Sequence, residues 1–210
     1  VTEGRPGRLI ALEGIDGCGK STQARLLAGR LGALLTFEPG GTGLGRSLRA
    51  LLLDRGREPI GERAEALLMA ADRAQHVAEV VAPALRAGRW VVTDRFSAST
   101  IAYQGFGRGL DRNELTTLVG WATGGLGPDL TVLLTVPLAV AAARRGDGAG
   151  DHFEVQGEPF LERVDAGYRR LAGEAATPWR VVEATGPVEV VAGAVWAAVD
   201  AVLGPVPADG

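Results

Sequence analysis

The stretch Gly14-Ile15-Asp16-Gly17-Cys18-Gly19-Lys20-Ser21 constrains the chain more than any other. A glycine, four residues, then Gly-Lys-Ser is the spacing of a phosphate-binding loop, G-x-x-x-x-G-K-[ST]. Glycines let consecutive backbone N–H groups turn inward as a nest for an anion. A helix starting near Lys20 adds the positive end of its dipole. In such a loop Lys20 reaches the β- and γ-phosphates, and the Ser21 hydroxyl meets a magnesium ion. The flanks agree. Leu9-Ile10-Ala11-Leu12 reads as a short buried strand, and Ala24, Leu26, Leu27 and Leu31 recur at helical spacing beyond Thr22.

The same alternation runs through the chain. Strands are predicted at Arg8–Glu13, Ala33–Phe37, Arg89–Asp94, Thr131–Val136 and Trp179–Glu183. Helices are predicted at Ser21–Leu31, Leu44–Leu53, Arg63–Ala87, from Leu138, at Phe160–Glu174 and at Val188–Leu203. Short apolar strands separated by helices predict an α/β fold, a five-stranded parallel sheet with helices on both faces. The length of 210 residues suits one domain. A glycine-rich, charged loop, Gly146–Asp151, follows Arg144 and Arg145; the region 144–154 reads as a mobile lid closing cations over phosphates. The tail 204–210 reads as frayed.

Bulk properties narrow the partners. A formal net charge of −3 offers no basic excess for nucleic acid. The apolar stretch Val188 to Leu203 carries Glu189 and Asp200 and is too short for a bilayer. Val1 to Arg8 reads as polar, without a signal-peptide core. Cys18 is the single cysteine, so no disulfide forms within the chain, which fits a reducing, cytoplasmic setting. Within the loop Cys18 reads as a small space-filler.

A phosphate loop alone does not separate motors, switches and kinases. Three further clusters do. "TFEPGGTGLG", Thr36–Gly45, follows the second strand, where ligands bind in parallel-sheet folds, and presents Glu38 beside a fixed turn. "MAADRAQH", Met69–His76, puts Arg73 on a helix; by itself Arg73 reads as a solvated charge and His76 as structural. In "VVTDRFSASTIAYQG", Val91–Gly105, a strand ends in Asp94-Arg95. Asp94 can hold a magnesium-bound water or Arg95, and Arg95 can fork onto a phosphate. Ser99, Tyr103 and Gln104 follow at one-turn spacings.

The set, with the lid arginines and "DHFE" at Asp151–Glu154, resembles the thymidylate kinase family in order across nearly the whole chain. The resemblance implies transfer of the γ-phosphate of ATP to dTMP, with Mg2+, in a homodimer. It implies that Gly14 to Ser21 cradle the ATP phosphates and that Arg95 holds the acceptor phosphate in line. Asp16 and Glu38 stand at the magnesium and acceptor side. Arg73 contacts the base or phosphate of dTMP. Ser99, Thr100, Tyr103 and Gln104 line the thymidine pocket, Tyr103 disfavouring a ribose 2′-hydroxyl. Ala184-Thr185-Gly186 lies at the adenine. Gly17 stands where some members carry arginine, so Arg144 and Arg145 supply that cation from the lid.

Three positions depart from the pattern: Phe37 stands for arginine, Met69 for phenylalanine against thymine, and His152 for arginine in the lid. A sulfur–aromatic contact of about 0.3–1.5 kcal/mol rivals a stacked ring pair, so Met69 remains compatible with thymine. The two lost cations bear on rate. Two other readings fit the departures: a kinase for another or a modified pyrimidine deoxynucleotide, and a nucleotide-binding protein with little kinase activity. The loop assignment is tested by Lys20→Ala. Losing one positioned cation lowers ATP-dependent transfer about 10²–10³-fold with an unchanged circular dichroism spectrum. Full activity in the folded variant removes the loop from the reaction.

Overall fold

The computed structural model describes residues 7–54, 58–145 and 156–204. The expected lid is therefore described only at Arg144 and Arg145 and the tail only at Gly204; Asp151, His152, Phe153 and Glu154 lie outside the described residues. Strands β1 (Leu9–Glu13), β2 (Leu34–Phe37), β3 (Val91–Asp94), β4 (Leu130–Thr135) and β5 (Trp179–Glu183) form one sheet in the order β2-β3-β1-β4-β5. Every neighbouring pair is parallel. β1 and β4 are buried at each position, as only a sheet covered on both faces allows. The edge strands β2 and β5 leave Leu35, Phe37 and Val181 exposed.

Parallel strands bring all their carboxyl ends to one rim. Leu12 lies beside Asp94, and Asp94 beside Phe37. The phosphate loop, Glu38 and Arg95 thus leave the sheet side by side, where α/β folds bind ligands.

Helix α1 (Lys20–Leu31) ends at Gly32, whose φ of 60° lets its N–H return to the Ala28 carbonyl. Helix α2 (Gly43–Leu53) is capped by Thr42, which accepts from Gly45 N at 2.9 Å. The single helix predicted over Arg63–Ala87 is instead α3 (Glu62–His76), a π-helical turn (Val77–Val81) and α4 (Ala82–Arg86). Pro83 explains the break: it has no N–H to give, and its ring crowds the carbonyl four residues back, so the chain widens there.

Beyond β3, α5 (Ser97–Thr100) runs into a second π-helical stretch, Ile101–Gly107. Helix α6 (Arg112–Thr123) is not among the predicted elements. Asp111 starts it by accepting from Asn113 N and Glu114 N, and Gly124 at φ 60° ends it. Helices α7 (Leu138–Arg145), α8 (Glu158–Glu174) and α9 (Val188–Leu203) complete the described elements. No described helix is long and apolar enough to cross a membrane.

Helix α8 reaches the site because glycines let it approach the π-helical stretch. A Cβ on Gly167 would stand 2.6 Å from the Phe106 ring, and one on Gly107 2.6 Å from Phe160. Overpacking of this kind costs about 1–3 kcal/mol, more than the roughly 0.5–1 kcal/mol that alanine gains over glycine within a helix. Gly167→Ala is expected to lower Tm by several degrees in a thermal melt. An unchanged Tm would mean that Phe106 yields freely.

Candidate active site

The phosphate loop needs its glycines sterically. Gly14, Gly17 and Gly19 have φ of 140°, 86° and 97°. A Cβ on Gly17 would lie 2.3 Å from the Ala141 carbonyl oxygen. Gly19 precedes α1 without a side-chain cap, and the first turn of α1 holds no acidic residue. Its N–H groups are left to an anion. Lys20 Nζ donates to the Ile15 carbonyl at 2.9 Å and lies 3.6 Å from Asp16 Oδ1. Cys18 is buried behind the loop, and burial pushes its thiol pKa up. That matches the space-filling reading.

One corner has the donor set for a hard cation. Ser21 Oγ donates to Asp94 Oδ2 at 2.5 Å. Asp94 Oδ1 is buried with no hydrogen-bond partner. The described residues contain no cluster of three or more His, Cys, Asp or Glu suited to a metal. Mg2+ needs none: it keeps waters and phosphate oxygens and takes one or two carboxylates from the protein. An orphaned carboxylate oxygen beside the loop serine fits such an ion.

At the end of β3, Arg95 adopts φ 73°, the one described non-glycine residue in the left-handed region. Such a conformation costs about 1–3 kcal/mol and persists only where surroundings enforce it. Here they do. Arg95 Nη2 donates to Asp16 Oδ1 at 2.6 Å and to the Tyr103 hydroxyl at 3.1 Å. Nη1 reaches the Gly14 carbonyl, Ser99 Oγ and the Tyr168 hydroxyl at 3.2, 3.0 and 3.1 Å. Burial alone would raise the Asp16 pKa, but Arg95 and Lys20 overcome it and hold the carboxyl well below its usual range. Beneath lies Glu13, wholly buried, accepting from Phe96 N, Ser99 Oγ and the Tyr168 hydroxyl. Desolvation raises its pKa.

A second pocket opens on the far side of Arg95, walled by Met69, Arg73, Thr100, Tyr103 and Gln104 among others. Arg73 is not the solvated charge its helix position implies; it is 2% exposed. Its Nε donates to Glu38 Oε2 at 2.8 Å, Nη1 to Thr100 Oγ1 at 2.8 Å and Nη2 to the Phe96 carbonyl at 2.9 Å. His76, buried as expected of a structural residue, sits between Glu38 Oε1 at 2.8 Å and Thr36 Oγ1 at 2.6 Å. Asp16, Glu38, Arg49 and Arg95 line both this pocket and the one around the phosphate loop. Two carboxylates and two guanidiniums thus mark the shared wall.

Arg49 is absent from the residues picked out by motif. It reaches the wall from α2, donating to the Pro39 carbonyl at 2.8 Å, with its guanidinium 5.9 Å from the centre of the Phe37 ring. Glu13, Glu65 and Tyr168 are likewise found only by contact. Glu13 carried one signal, a carboxylate ending an apolar strand directly before the loop. On the lid side, Arg145 Nη1 donates to the Asp16 carbonyl at 2.7 Å and Arg144 Nη2 to the Thr185 carbonyl at 3.2 Å. Ala184 and Gly186 border the loop pocket.

What separates this chain from P-loop switches and motors is the second pocket: a P-loop phosphotransferase needs room for an acceptor beside the triphosphate. The family profile described as thymidylate kinase matches residues 12–195. The chain belongs to the thymidylate kinase family. It is 49% identical over 201 residues to the thymidylate kinase of Synechococcus sp. strain CC9311, covering 90% of this chain and 93% of that one. It is 47% identical over 203 residues to that of Desulforudis audaxviator, covering 94% and 92%. The crystal structure of thymidylate kinase from Ehrlichia chaffeensis superposes with a TM-score of 0.75 at 29% identity, covering 91% of this chain and 98% of that one.

Asp72 gives the site a pH signature. Its Oδ1 accepts from Gly40 N at 3.0 Å while Oδ2 is buried without a partner. Burial, then the neighbouring Glu38, push its pKa from 3.8 up to about 6. The folded state therefore holds this proton more tightly than the unfolded chain, and stability falls as pH rises from about 4 to about 6. Asp72→Asn, neutral throughout, is expected to gain about 1–3 kcal/mol at pH 8. The gain should shrink toward zero at pH 4 in urea titrations at both pH values. An equal gain at both would refute the assignment.

Proposed function

We propose that this chain transfers the γ-phosphoryl group of ATP directly to a phosphate oxygen of dTMP, giving ADP and dTDP. The wall shared by the two pockets carries this reading. It supports a triphosphate on the loop and a monophosphate in the second pocket, on opposite sides of Arg95, the arrangement an in-line displacement requires. The acceptor oxygen is already anionic at neutral pH, so no strong base is called for. Charge neutralisation and positioning do the rest.

Lys20 and the N–H groups of residues 14–22 hold the donor phosphates. Arg95 takes the acceptor phosphate, a charged partner in place of the neutral hydroxyls it now binds. Arg49 adds a second guanidinium to the wall and supplies from α2 a cation that Phe37 lacks. Arg144 and Arg145 bring positive charge from the lid side. Ser21 and Asp94 would hold Mg2+, with Asp16 nearer to Arg95 and Tyr103; the ion supplies charge neutralisation on the phosphate oxygens. Met69, Arg73, Ser99, Thr100, Tyr103 and Gln104 receive the deoxynucleoside, and Glu38 fixes Arg73. A homodimer is supported by exposed Leu67 on α3 and by Trp121, 82% exposed on the adjoining α6. The lone cysteine suits the cytoplasm.

A coupled assay of ADP release tests the reading. Release is expected with dTMP, weakly with dUMP or dCMP, and near background with ATP alone. Arg95→Lys keeps the charge but loses the fork, and should weaken dTMP by at least about tenfold while leaving ATP affinity close to wild type. No dTMP-dependent release by the wild type, or normal dTMP affinity and turnover in the variant, would sink the assignment.

A further inference from the structure

Gln104 faces the second pocket, and its side chain is gripped from behind. Its amide nitrogen donates to Glu65 Oε1 at 2.9 Å. The same carboxylate accepts from Arg108 Nε at 3.3 Å and, through Oε2, from Arg108 Nη2 at 3.0 Å. Glu65 is 1% exposed. Arg108 is itself anchored: Nη1 donates to Gln156 Oε1 at 2.7 Å, and the guanidinium lies 5.0 Å from the centre of the Phe160 ring.

This chain of contacts fixes something an isolated amide leaves open. Oxygen and nitrogen of a glutamine are assigned by their partners. A carboxylate held in a guanidinium fork accepts hydrogen bonds and gives none. Gln104 must therefore turn its NH2 toward Glu65, and its carbonyl oxygen is left for the pocket. A thymine base carries a single hydrogen-bond donor, N3–H, between two carbonyl acceptors. Cytosine has an acceptor at N3.

We propose that Glu65, held by Arg108, is a positioning residue for base selection: it locks the Gln104 amide with its carbonyl oxygen toward the acceptor base, so that the pocket takes an imino N–H and rejects cytosine. The inference rests on the dTMP reading above. It also separates two kinds of selectivity. Uracil has the same N3–H as thymine, so Glu65 governs thymine against cytosine and has no influence on the 5-methyl group.

The test compares kcat/KM for dTMP, dUMP and 5-methyl-dCMP in the wild type, Glu65→Gln and Arg108→Lys, with folding followed by thermal melts. The wild type should prefer dTMP to 5-methyl-dCMP by about 100-fold or more. In Glu65→Gln the new amide both donates and accepts, so Gln104 takes up both orientations. The ratio of dTMP to 5-methyl-dCMP should fall about 10- to 100-fold, while that of dTMP to dUMP stays unchanged. Arg108→Lys keeps a cation beside Glu65 and should retain the wild-type ratio. If Glu65→Gln lowers all three substrates alike, Glu65 is merely structural and the proposal is overturned. If Glu65→Gln does not fold, Arg108→Met, which frees the Glu65 carboxylate from its guanidinium fork and loosens its hold on the Gln104 amide, is read by the same ratio with the same two outcomes. A wild type that uses 5-methyl-dCMP as readily as dTMP overturns the amide orientation without any variant. A wild type that phosphorylates no dTMP refutes the kinase reading instead, so the two failures are distinct.

Discussion

The guanidinium of Arg95 bonds at once to the phosphate loop, through Gly14 and Asp16, to the segment after β3, through Ser99 and Tyr103, and to α8, through Tyr168. These are separate stretches of chain that the sheet and the packing of α8 bring to one rim, and Arg95 ties them together there. Their union holds a left-handed backbone at a residue that is not glycine. It also keeps Asp16 ionised within the protein. Removing one member of such a buried pair leaves the other charge uncompensated, at a cost of about 3–5 kcal/mol. The electrostatics of the site are therefore settled during folding, before a ligand arrives, which is the condition for preorganised charge to act in catalysis.

The second pocket repeats the principle with different partners. Glu38 neutralises Arg73 and fixes the ring of His76, while Thr36 holds the other ring nitrogen. Glu65 does the same for Arg108 and Gln104. Each charged group is buried only because an opposite charge and further hydrogen bonds accompany it. Asp72 is the exception: burial, then the neighbouring Glu38, outweigh its one backbone donor, and its proton stays on to about pH 6. The scaffold around these groups is tuned by absence of side chains. At Gly17, Gly107 and Gly167 a methyl group would collide with neighbours closer than 3 Å.

Much of this was legible locally. The loop spacing, the apolar runs of β1, β3 and β4, and the helical repeat of α1 each lie within about a dozen residues, where periodicity speaks directly. Helix α6 escaped that reading because Thr116, Thr117 and Gly120 weaken its pattern. The tertiary packing of its apolar face, Leu115 and Val119, sustains it. The break between α3 and α4 lay in Pro83, a local signal that periodicity alone overrode. The isolated reading of Arg73 as a surface charge failed. Its burial depends on Glu38, 35 residues away.

The sequence by itself determined the phosphate loop, the α/β class and part of the set gathered at the carboxyl rim of the sheet, Glu38, Asp94 and Arg95 among them. These follow from residue type and short spacing, which fix backbone conformation and local hydrogen bonding. Only the tertiary structure decided who partners whom: Glu13 with Tyr168, Arg49 with the wall between the pockets, Glu65 with both Gln104 and Arg108. Such pairings span tens of residues or more, so no local pattern encodes them. Desolvation and charge pairing choose among them only when the chain has closed around the site.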